Sequence, residues 1–179
     1  SLKITGFEGD SNLVNDLIQA NCAKLRELEI HSTGYLLLDL RCTQLKSLKY
    51  RHSGDFNSKF LTCCGSLVQL DISGCELGEG AFLSVVRNCP QLRDLYFRES
   101  HATDDDLLQI GALCTQLRAI DFSCNYAITD QGMETLVKNC TQLQHLQCEH
   151  NIQLTNLSLQ YIATYLSESL AALSIDGCT

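Results

Sequence analysis

Cysteine is the residue type in this sequence with the widest choice of chemistry. The chain has 179 residues and 11 cysteines, and CTQL occurs at 42–45, 114–117 and 140–143, with CPQL at 89–92. Regularly spaced thiols can bind a metal ion, form disulfides or pack as small apolar side chains. One column of them stands three residues before a leucine each time: Cys22, Cys42, Cys64, Cys89, Cys114 and Cys140.

A metal site is the first use of these thiols to consider. The stretch HLQCEH at 145–150 holds cysteine, histidine and glutamate close together. Side chains alternate faces along a strand, so His145 points away from Cys148 and the two cannot readily hold one ion. No C-x-x-C pair occurs in the sequence. We therefore predict neither a metal nor a cofactor.

A cysteine nucleophile is the second use. Glu99, Cys124 and His150 occupy one position in three consecutive repeats, so stacked strands would bring Cys124 close to His150. A thiol beside an imidazole and a carboxylate has the groups that a nucleophile needs. Nothing in the sequence supplies an oxyanion hole or a substrate pocket. We predict that the chain is not an enzyme, with an enzyme or cofactor receptor using the Cys124/His150 rim site as the alternative.

Disulfide formation is the third use. Stacked repeats bring equivalent positions to about 5 Å, so distance alone leaves bridges open. The odd number of cysteines leaves one unpaired in any scheme, and the chain is longer than small disulfide scaffolds. These points favour free thiols in a reducing compartment, the cytoplasm or the nucleus. The column cysteines are then packing residues between helix and strand.

A repeating strand must position these side chains. Aligning the chain on the leucine after each column cysteine gives L-x-x-L-x-L at spacings of 20 to 27 residues. The anchor residues are Leu25, Leu45, Leu67, Leu92, Leu117, Leu143 and Leu170. The opening SLKI puts Leu2 and Ile4 in register with Leu28 and Ile30, which makes eight candidate strands. A period in this range predicts a solenoid.

A turn and a helix are expected after each strand. Segment 128–140 starts with a threonine cap and carries Met133 and Leu136 at helical spacing, and 103–114 follows the same plan with three aspartates in its first turn. Helices around 36–41 and 58–63 should shrink to about a turn, giving short irregular repeats around 31–63. The turn position holds residues that can hydrogen-bond the backbone: Thr33, Ser53, Cys75, Ser100, Asn125, Asn151 and Cys178.

The repeat C-x-x-L-x-x-L-x-L-x-x-C/N-x-x-I/L-T-D is similar to the cysteine-containing leucine-rich repeats of F-box/LRR proteins, in the ribonuclease-inhibitor-like superfamily. The resemblance covers nearly the whole chain and is strongest from residue 64 onward. It implies an α/β leucine-rich-repeat solenoid of about seven and a half repeats, with a parallel sheet on the concave face and helices on the convex face. It also implies the substrate-recognition part of an F-box-type ubiquitin ligase. No segment here reads as an F-box, so any adaptor contact is expected through a segment outside this sequence.

The composition of the chain limits the number of domains and the kinds of partner to be expected. A single proline and the lack of Gly/Ser-rich runs predict one domain over 1–179, and the ends inside a repeat predict a fragment of a longer array. The formal net charge of −8 argues against nucleic-acid binding. No apolar run approaches the ~20 residues that span a bilayer. We therefore expect neither nucleic acid nor membrane as a partner.

A protein partner is expected on the outward side chains of the sheet. Tyr96 and Arg98 lie centrally and belong to the residue types that dominate interface energies. The predicted contact residues are Lys49, Arg51, Asp71, Asp94, Tyr96, Arg98, Asp121, His145, Gln147 and Glu149. The leading functional prediction is a scaffold for protein–protein interaction.

Overall fold

Eight parallel strands alternate with helices along the chain. The structure, a computed structural model, describes residues 1–7, 11–32, 41–52, 61, 64–78 and 80–179. The strands are β1 (Leu2–Phe7), β2 (Glu27–Ser32), β3 (Ser47–His52), β4 (Gln69–Asp71), β5 (Asp94–Tyr96), β6 (Ala119–Asp121), β7 (His145–Gln147) and β8 (Ala172–Ser174). The helices of the described residues are α1 (Ser11–Asn21), α2 (Ala81–Asn88), α3 (Asp104–Leu113), α4 (Asp130–Asn139) and α5 (Asn156–Leu166). The fold is therefore α/β.

The strands form one open sheet in chain order. Each strand pairs in parallel with its sequence neighbours, from β1 to β8, and the sheet does not close. Leu2 lies opposite Leu28 and Ile4 opposite Ile30, which confirms the predicted register of the first strand. The register is kept to the last pair, where Leu146 lies opposite Leu173.

One apolar core lies between the sheet and the helices. The central residue of each three-residue strand from β4 to β7 is buried, and the same cluster contains the inward residues of α2 to α5. Alternate residues of a strand face opposite sides, so the remaining strand residues lie on the other side of the sheet. We call that side the open face; its central row is Lys49, Asp71, Tyr96, Asp121 and Gln147.

Three phenylalanines in consecutive units pack against one another in this core. Phe82, Phe97 and Phe122 are at most 2% exposed. The rings of Phe82 and Phe97 meet edge to face with centroids 4.7 Å apart, and those of Phe97 and Phe122 stack at 6.1 Å. Phe97 therefore contacts the helix of the preceding unit through Phe82 and the following unit through Phe122.

Buried side chains satisfy the backbone of the turns that follow the strands, as predicted. The amide of Asn125, 0% exposed, accepts hydrogen bonds from the N–H groups of Ser100 and Ala102 at 3.1 and 2.9 Å. It donates to the carbonyls of Phe97 and Phe122 at 3.1 and 2.9 Å. One side chain thus holds two turns in place.

The neighbouring turns use the same position in a simpler way. The Ser100 hydroxyl donates to the Phe97 carbonyl at 2.6 Å, and the Cys178 thiol donates to the Cys148 carbonyl at 3.1 Å. Asn151 accepts from the Asn125 N–H at 2.7 Å. The predicted turn residues Thr33 and Ser53 lie outside the described residues, as do most of the short helices predicted at 36–41 and 58–63.

The helix starts agree with the predicted threonine caps. Thr129 precedes α4, and its hydroxyl accepts from the Gln131 N–H at 3.2 Å. Thr103 precedes α3, where the Asp106 carboxylate accepts from the Thr103 N–H and hydroxyl at 2.9 and 3.0 Å. Each helix therefore begins beside a side chain that accepts a hydrogen bond from an N–H group that would otherwise be unpaired at the helix start.

Aspartates at two of these starts bind the next helix rather than their own. Asp104 accepts from the N–H and hydroxyl of Thr129 at 2.8 and 2.6 Å. Asp130 accepts from the N–H and hydroxyl of Thr155 at 2.9 and 2.7 Å, and from the N–H of Ser158 at 3.1 Å. We call these contacts the aspartate cross-links, and they join α3 to α4 and α4 to α5.

The Asp130 cross-link makes stability depend on pH. Burial alone would raise the pKa of Asp130, but the hydrogen bonds from Ser158 and Thr155 outweigh it and hold that pKa below its ordinary value. A lowered pKa in the folded state contributes stability above pH ~4, and this contribution is lost as pH falls further. Asp130→Asn is therefore expected to cost about 2 kcal/mol of unfolding free energy at pH 7.

Urea denaturation at pH 7 and pH 3 measures this effect. The gap in unfolding free energy between wild type and Asp130→Asn should shrink towards the lower pH, because the wild-type carboxylate loses its charge as pH falls through its lowered pKa. The control is Asp105→Asn, since the Asp105 side chain is exposed and makes no hydrogen bond within the described residues; it should cost about 0.5 kcal/mol. An equal gap at both pH values would show that the ionised carboxylate contributes nothing.

The cysteine column corrects one prediction. Cys22 and Cys42 form a disulfide, with Cα atoms 4.6 Å apart, so the prediction that all thiols are free is wrong at this pair. Adjacent parallel strands bring these positions together, and the odd number of cysteines excludes no single bridge. Six further described cysteines are free thiols: Cys89, Cys114, Cys124, Cys140, Cys148 and Cys178.

The rest of the column packs as predicted. Cys64, Cys89 and Cys140 are 0% exposed and belong to the core. Burial raises the pKa of Cys89 and Cys140 to about 12 and that of Cys114 to about 11. These side chains therefore stay protonated at neutral pH and behave as small apolar residues.

Within the described part of the chain, every helix is too short or too polar to cross a bilayer.

Candidate functional site

The open face carries the predicted contact residues in straight rows. Parallel pairing lines up Lys49 with Asp71, Asp71 with Tyr96, and Tyr96 with Asp121. A second row lies two residues further along each unit, beyond the end of the three-residue strands, and begins with His31 beside Arg51. Both rows match the arrangement predicted from the sequence, because each repeat keeps the same alternation about its buried leucine.

A pocket lies at the centre of this face. It has a volume of about 590 Å³ and opens widely to solvent. Six of the ten predicted contact residues line it: Lys49, Arg51, Asp71, Tyr96, Arg98 and Asp121. The other four, Asp94, His145, Gln147 and Glu149, lie outside its lining. The structure thus brings together the centre of the predicted cluster and leaves out Asp94 on β5 and the three residues on the β7 side.

Asp71 fixes one cation of the pocket. Its carboxylate side chain is only 6% exposed and accepts from the Arg51 guanidinium at 3.0 Å. The other carboxylate oxygen accepts from the Ser73 N–H at 3.1 Å. The Arg51 side chain is 54% exposed. A buried anion therefore holds a cation whose outer side faces solvent.

Glu149 fixes the second cation from two strands away. Arg98 reaches across Ser123 to the Glu149 carboxylate at 3.4 Å, and Glu149 also accepts from the Ser174 hydroxyl at 2.5 Å. The hydrogen bond from Ser174, followed by that from Arg98, lowers the pKa of Glu149. Although Glu149 lies outside the pocket, it orients a residue that lines it.

Tyr96 stands between these charged pairs. It is half-buried on β5, with Asp71 and Asp121 beside it in the central row. Burial, and then the neighbouring Asp94 carboxylate, raises the pKa of the Tyr96 phenol. Burial likewise raises the pKa of Asp94. Tyr96 thus offers a neutral aromatic surface and a hydroxyl to a partner.

The predicted contact residues omitted four residues that line the pocket: Gln69, Ser73, Gly74 and Glu99. Gly74 and Glu99 are the two at its edge. They share one position of the repeat with Cys124, His150 and Gly177, and all five have a left-handed φ between 54° and 75°. Glycine adopts this conformation at little cost, whereas other residues rarely do. Gly74 and Gly177 in one aligned column were the sequence signal for this turn.

The same turn accounts for the Glu99, Cys124 and His150 column. Cys124 is only 9% exposed, and within the described structure no hydrogen bond joins its thiol to the His150 imidazole. The imidazole lies against Gly177, where an added Cβ would overlap the ring. Cys124 does lie close enough to Arg98 for an electrostatic interaction, and the alternative of a rim enzyme or cofactor site stays a prediction.

Metal ligands are also dispersed over the parts of the chain that the structure describes. There, no group of three or more histidine, cysteine, aspartate or glutamate side chains is placed to hold an ion.

A comparison with protein-family models finds no match for this chain. The resemblance to leucine-rich repeats therefore rests on the repeat pattern itself.

Proposed function

We propose that the chain is a protein-interaction module that binds a partner protein across its open face. One observation carries the proposal: Lys49, Arg51, Asp71, Tyr96, Arg98 and Asp121 from four neighbouring strands line one pocket of about 590 Å³. An aromatic residue and arginines held by carboxylates are typical of the centre of a protein interface. The pocket is too polar to be a buried core.

The repeat pattern supports a finer form of this proposal. Sequential parallel strands, one buried leucine per short strand and a repeated turn favour a leucine-rich-repeat solenoid whose concave side is the open face. By its resemblance to F-box/LRR proteins, we propose that the module recognises substrates for a ubiquitin ligase. The adaptor contact would then require an F-box in another segment.

Photo-cross-linking tests the site of binding. A photoreactive phenylalanine analogue at position 96 should capture a protein partner from native cells. The same analogue at position 108 serves as control, because Leu108 is 52% exposed on helix α3. Capture from position 108 with none from position 96 would place the interface on the helices and contradict the proposal.

A double substitution then tests the energy of the contact. Tyr96→Ala with Arg98→Ala should weaken affinity for the captured partner about 30-fold, because two central anchors are lost. Leu108→Ala with Lys138→Ala, both exposed on helices, should leave it unchanged. Calorimetry of each variant, after thermal melting has verified its fold, measures the difference. Equal affinities of wild type and the Tyr96/Arg98 variant would count against the central cluster.

A further inference from the structure

A hollow lies between two arginines at one edge of the pocket. The Gly74 N–H donates to the Arg98 carbonyl at 2.7 Å, and the Arg98 N–H donates to the Ser73 hydroxyl at 3.3 Å. Arg51 flanks Ser73 on the other side, since Lys49 pairs with Asp71 two residues earlier. Parallel strands lie about 4.8 Å apart, so the backbones of Arg51 and Arg98, on either side of Ser73, lie about 10 Å apart. The small residues Ser73 and Gly74 lie between them.

Gly74 keeps this hollow open. A Cβ built at Gly74 would meet no atom within 4 Å, so the space above it is empty. Its φ of 75° is left-handed, which disfavours any residue with a side chain there. The lack of a side chain at Gly74 thus both permits the left-handed turn and leaves the space above it open.

The cations beside the hollow keep donors free for a ligand. A guanidinium has five N–H donors, and the ion pair of Arg51 with Asp71 engages Nη2. Arg98 is held by Glu149 at 3.4 Å and lies 3.8 Å from Glu99. The Lys49 side chain lines the same pocket and makes no hydrogen bond or close ion pair within the described residues, although its charge also acts on Glu29. Three cations therefore face one space.

The carboxylates of the pocket do not cancel this arrangement. Asp71 accepts from Arg51 and from the Ser73 N–H. Asp121 accepts from the N–H and hydroxyl of Ser123 at 2.9 and 2.6 Å. Glu99 is 65% exposed at the rim, where water screens its charge. The Asp71 and Asp121 carboxylates bond to the protein itself, whereas the Arg51 and Arg98 side chains are 54% and 38% exposed.

We propose that the hollow above Ser73 and Gly74, between Arg51 and Arg98, receives a glutamate or aspartate side chain from the protein segment that docks on the open face. A carboxylate there can accept two parallel hydrogen bonds from one guanidinium while the other lies nearby. The proposal rests on the proposed function, which it sharpens by naming the chemistry of the docking segment.

The test uses the full chain and a defined probe, acetyl-hexaglutamate amide. Amide and arginine side-chain NMR signals of Ser73, Gly74, Arg51 and Arg98 should shift and saturate as the probe is added. The chain's formal net charge of −8 repels an acidic peptide at long range. Saturable binding therefore reports a local site.

Two variants make the test specific. Arg98→Gln should weaken binding of the probe about tenfold, because a charged hydrogen-bond partner is lost, while the ion pair of Arg51 and Asp71 is left intact. Lys138→Gln removes an exposed cation from helix α4 and should leave affinity unchanged. Mapping the shifts on the wild-type chain needs no variant, so it tests the proposal even if a substitution disturbs folding.

Other results overturn the proposal in distinguishable ways. Absence of shifts at Ser73 and Gly74, or tighter binding of acetyl-hexalysine amide on the same face, would refute an acidic subsite. Shifts with inorganic phosphate but not with hexaglutamate would assign the hollow to a phosphorylated group instead. If photo-cross-linking from position 96 succeeds while hexaglutamate fails, the interface stands and the carboxylate subsite falls. If photo-cross-linking from position 96 fails while hexaglutamate still binds, the proposed function is contradicted and the carboxylate subsite is not.

Discussion

Replacing Phe97 by alanine is expected to lower the free energy of unfolding by about 4 kcal/mol. Phe97 is 0% exposed and contacts both Phe82 and Phe122. The substitution removes a ring that three consecutive units share and leaves a cavity that rigid neighbours cannot fill. Phe97 also lies between Tyr96 and Arg98 in the chain, so it anchors the two central contact residues from beneath.

Urea denaturation monitored by far-UV circular dichroism measures this loss. Phe97→Leu, which keeps most of the volume, should cost about 1 kcal/mol. Tyr126→Ala removes an aromatic ring that is 58% exposed and should change stability by less than about 0.5 kcal/mol. A Phe97→Ala chain as stable as Tyr126→Ala would refute the shared aromatic contact.

Asn125→Ala is expected to cost about 3 kcal/mol, a large effect for a polar side chain. The substitution leaves the N–H groups of Ser100 and Ala102 without an acceptor, although both residues are at most 1% exposed. Each unsatisfied buried group costs about 1–3 kcal/mol. The carbonyls of Phe97 and Phe122 also lose a donor.

A matched asparagine separates this effect from a general loss of amide groups. Asn139 lies exposed at the end of α4, where it donates to the Thr135 carbonyl at 2.8 Å. Asn139→Ala should cost less than about 0.5 kcal/mol. Thermal melts of both variants at equal concentration provide the comparison, and equal melting temperatures would show that the turn contacts of Asn125 are dispensable.

The strands and their register could be predicted from the sequence because each follows one local rule. A leucine or isoleucine such as Leu95 or Ile120 stands at the centre of a short strand, and its neighbours must face the other way. Helix starts such as Thr129 follow a similar local rule of capping. Signals of this kind lie within a few residues, so they can be read without three-dimensional coordinates.

Features that depend on the distance between units could not be predicted from the sequence. The sequence places Asp104 in the first turn of α3, but only the packing of α3 against α4 shows that it accepts from Thr129. The Cys22–Cys42 disulfide depends in the same way on how closely two units approach. A repeat pattern shows which residues occupy equivalent positions, but it does not give the distance in space between equivalent residues of neighbouring units.

The candidate site was predictable in part for the same reason. Tyr96 and Arg98 could be placed on the open face by alternation alone, whereas the pocket beside them depends on the turn at Gly74. His145 and Gln147 obey the same alternation and lie outside the pocket lining. Alternation assigns a face, while the depth of a pocket depends on local backbone geometry.

The aspartate cross-links give the units a fixed direction of dependence. The start of α4 needs Asp104 from the preceding unit, and the start of α5 needs Asp130. If one unit were transplanted into another protein, its helix start would therefore lose a hydrogen-bond acceptor unless the aspartate of the preceding unit were transplanted with it. The natural boundary for such a transplant lies before the aspartate of the preceding helix, so the exchangeable block is longer than one repeat period.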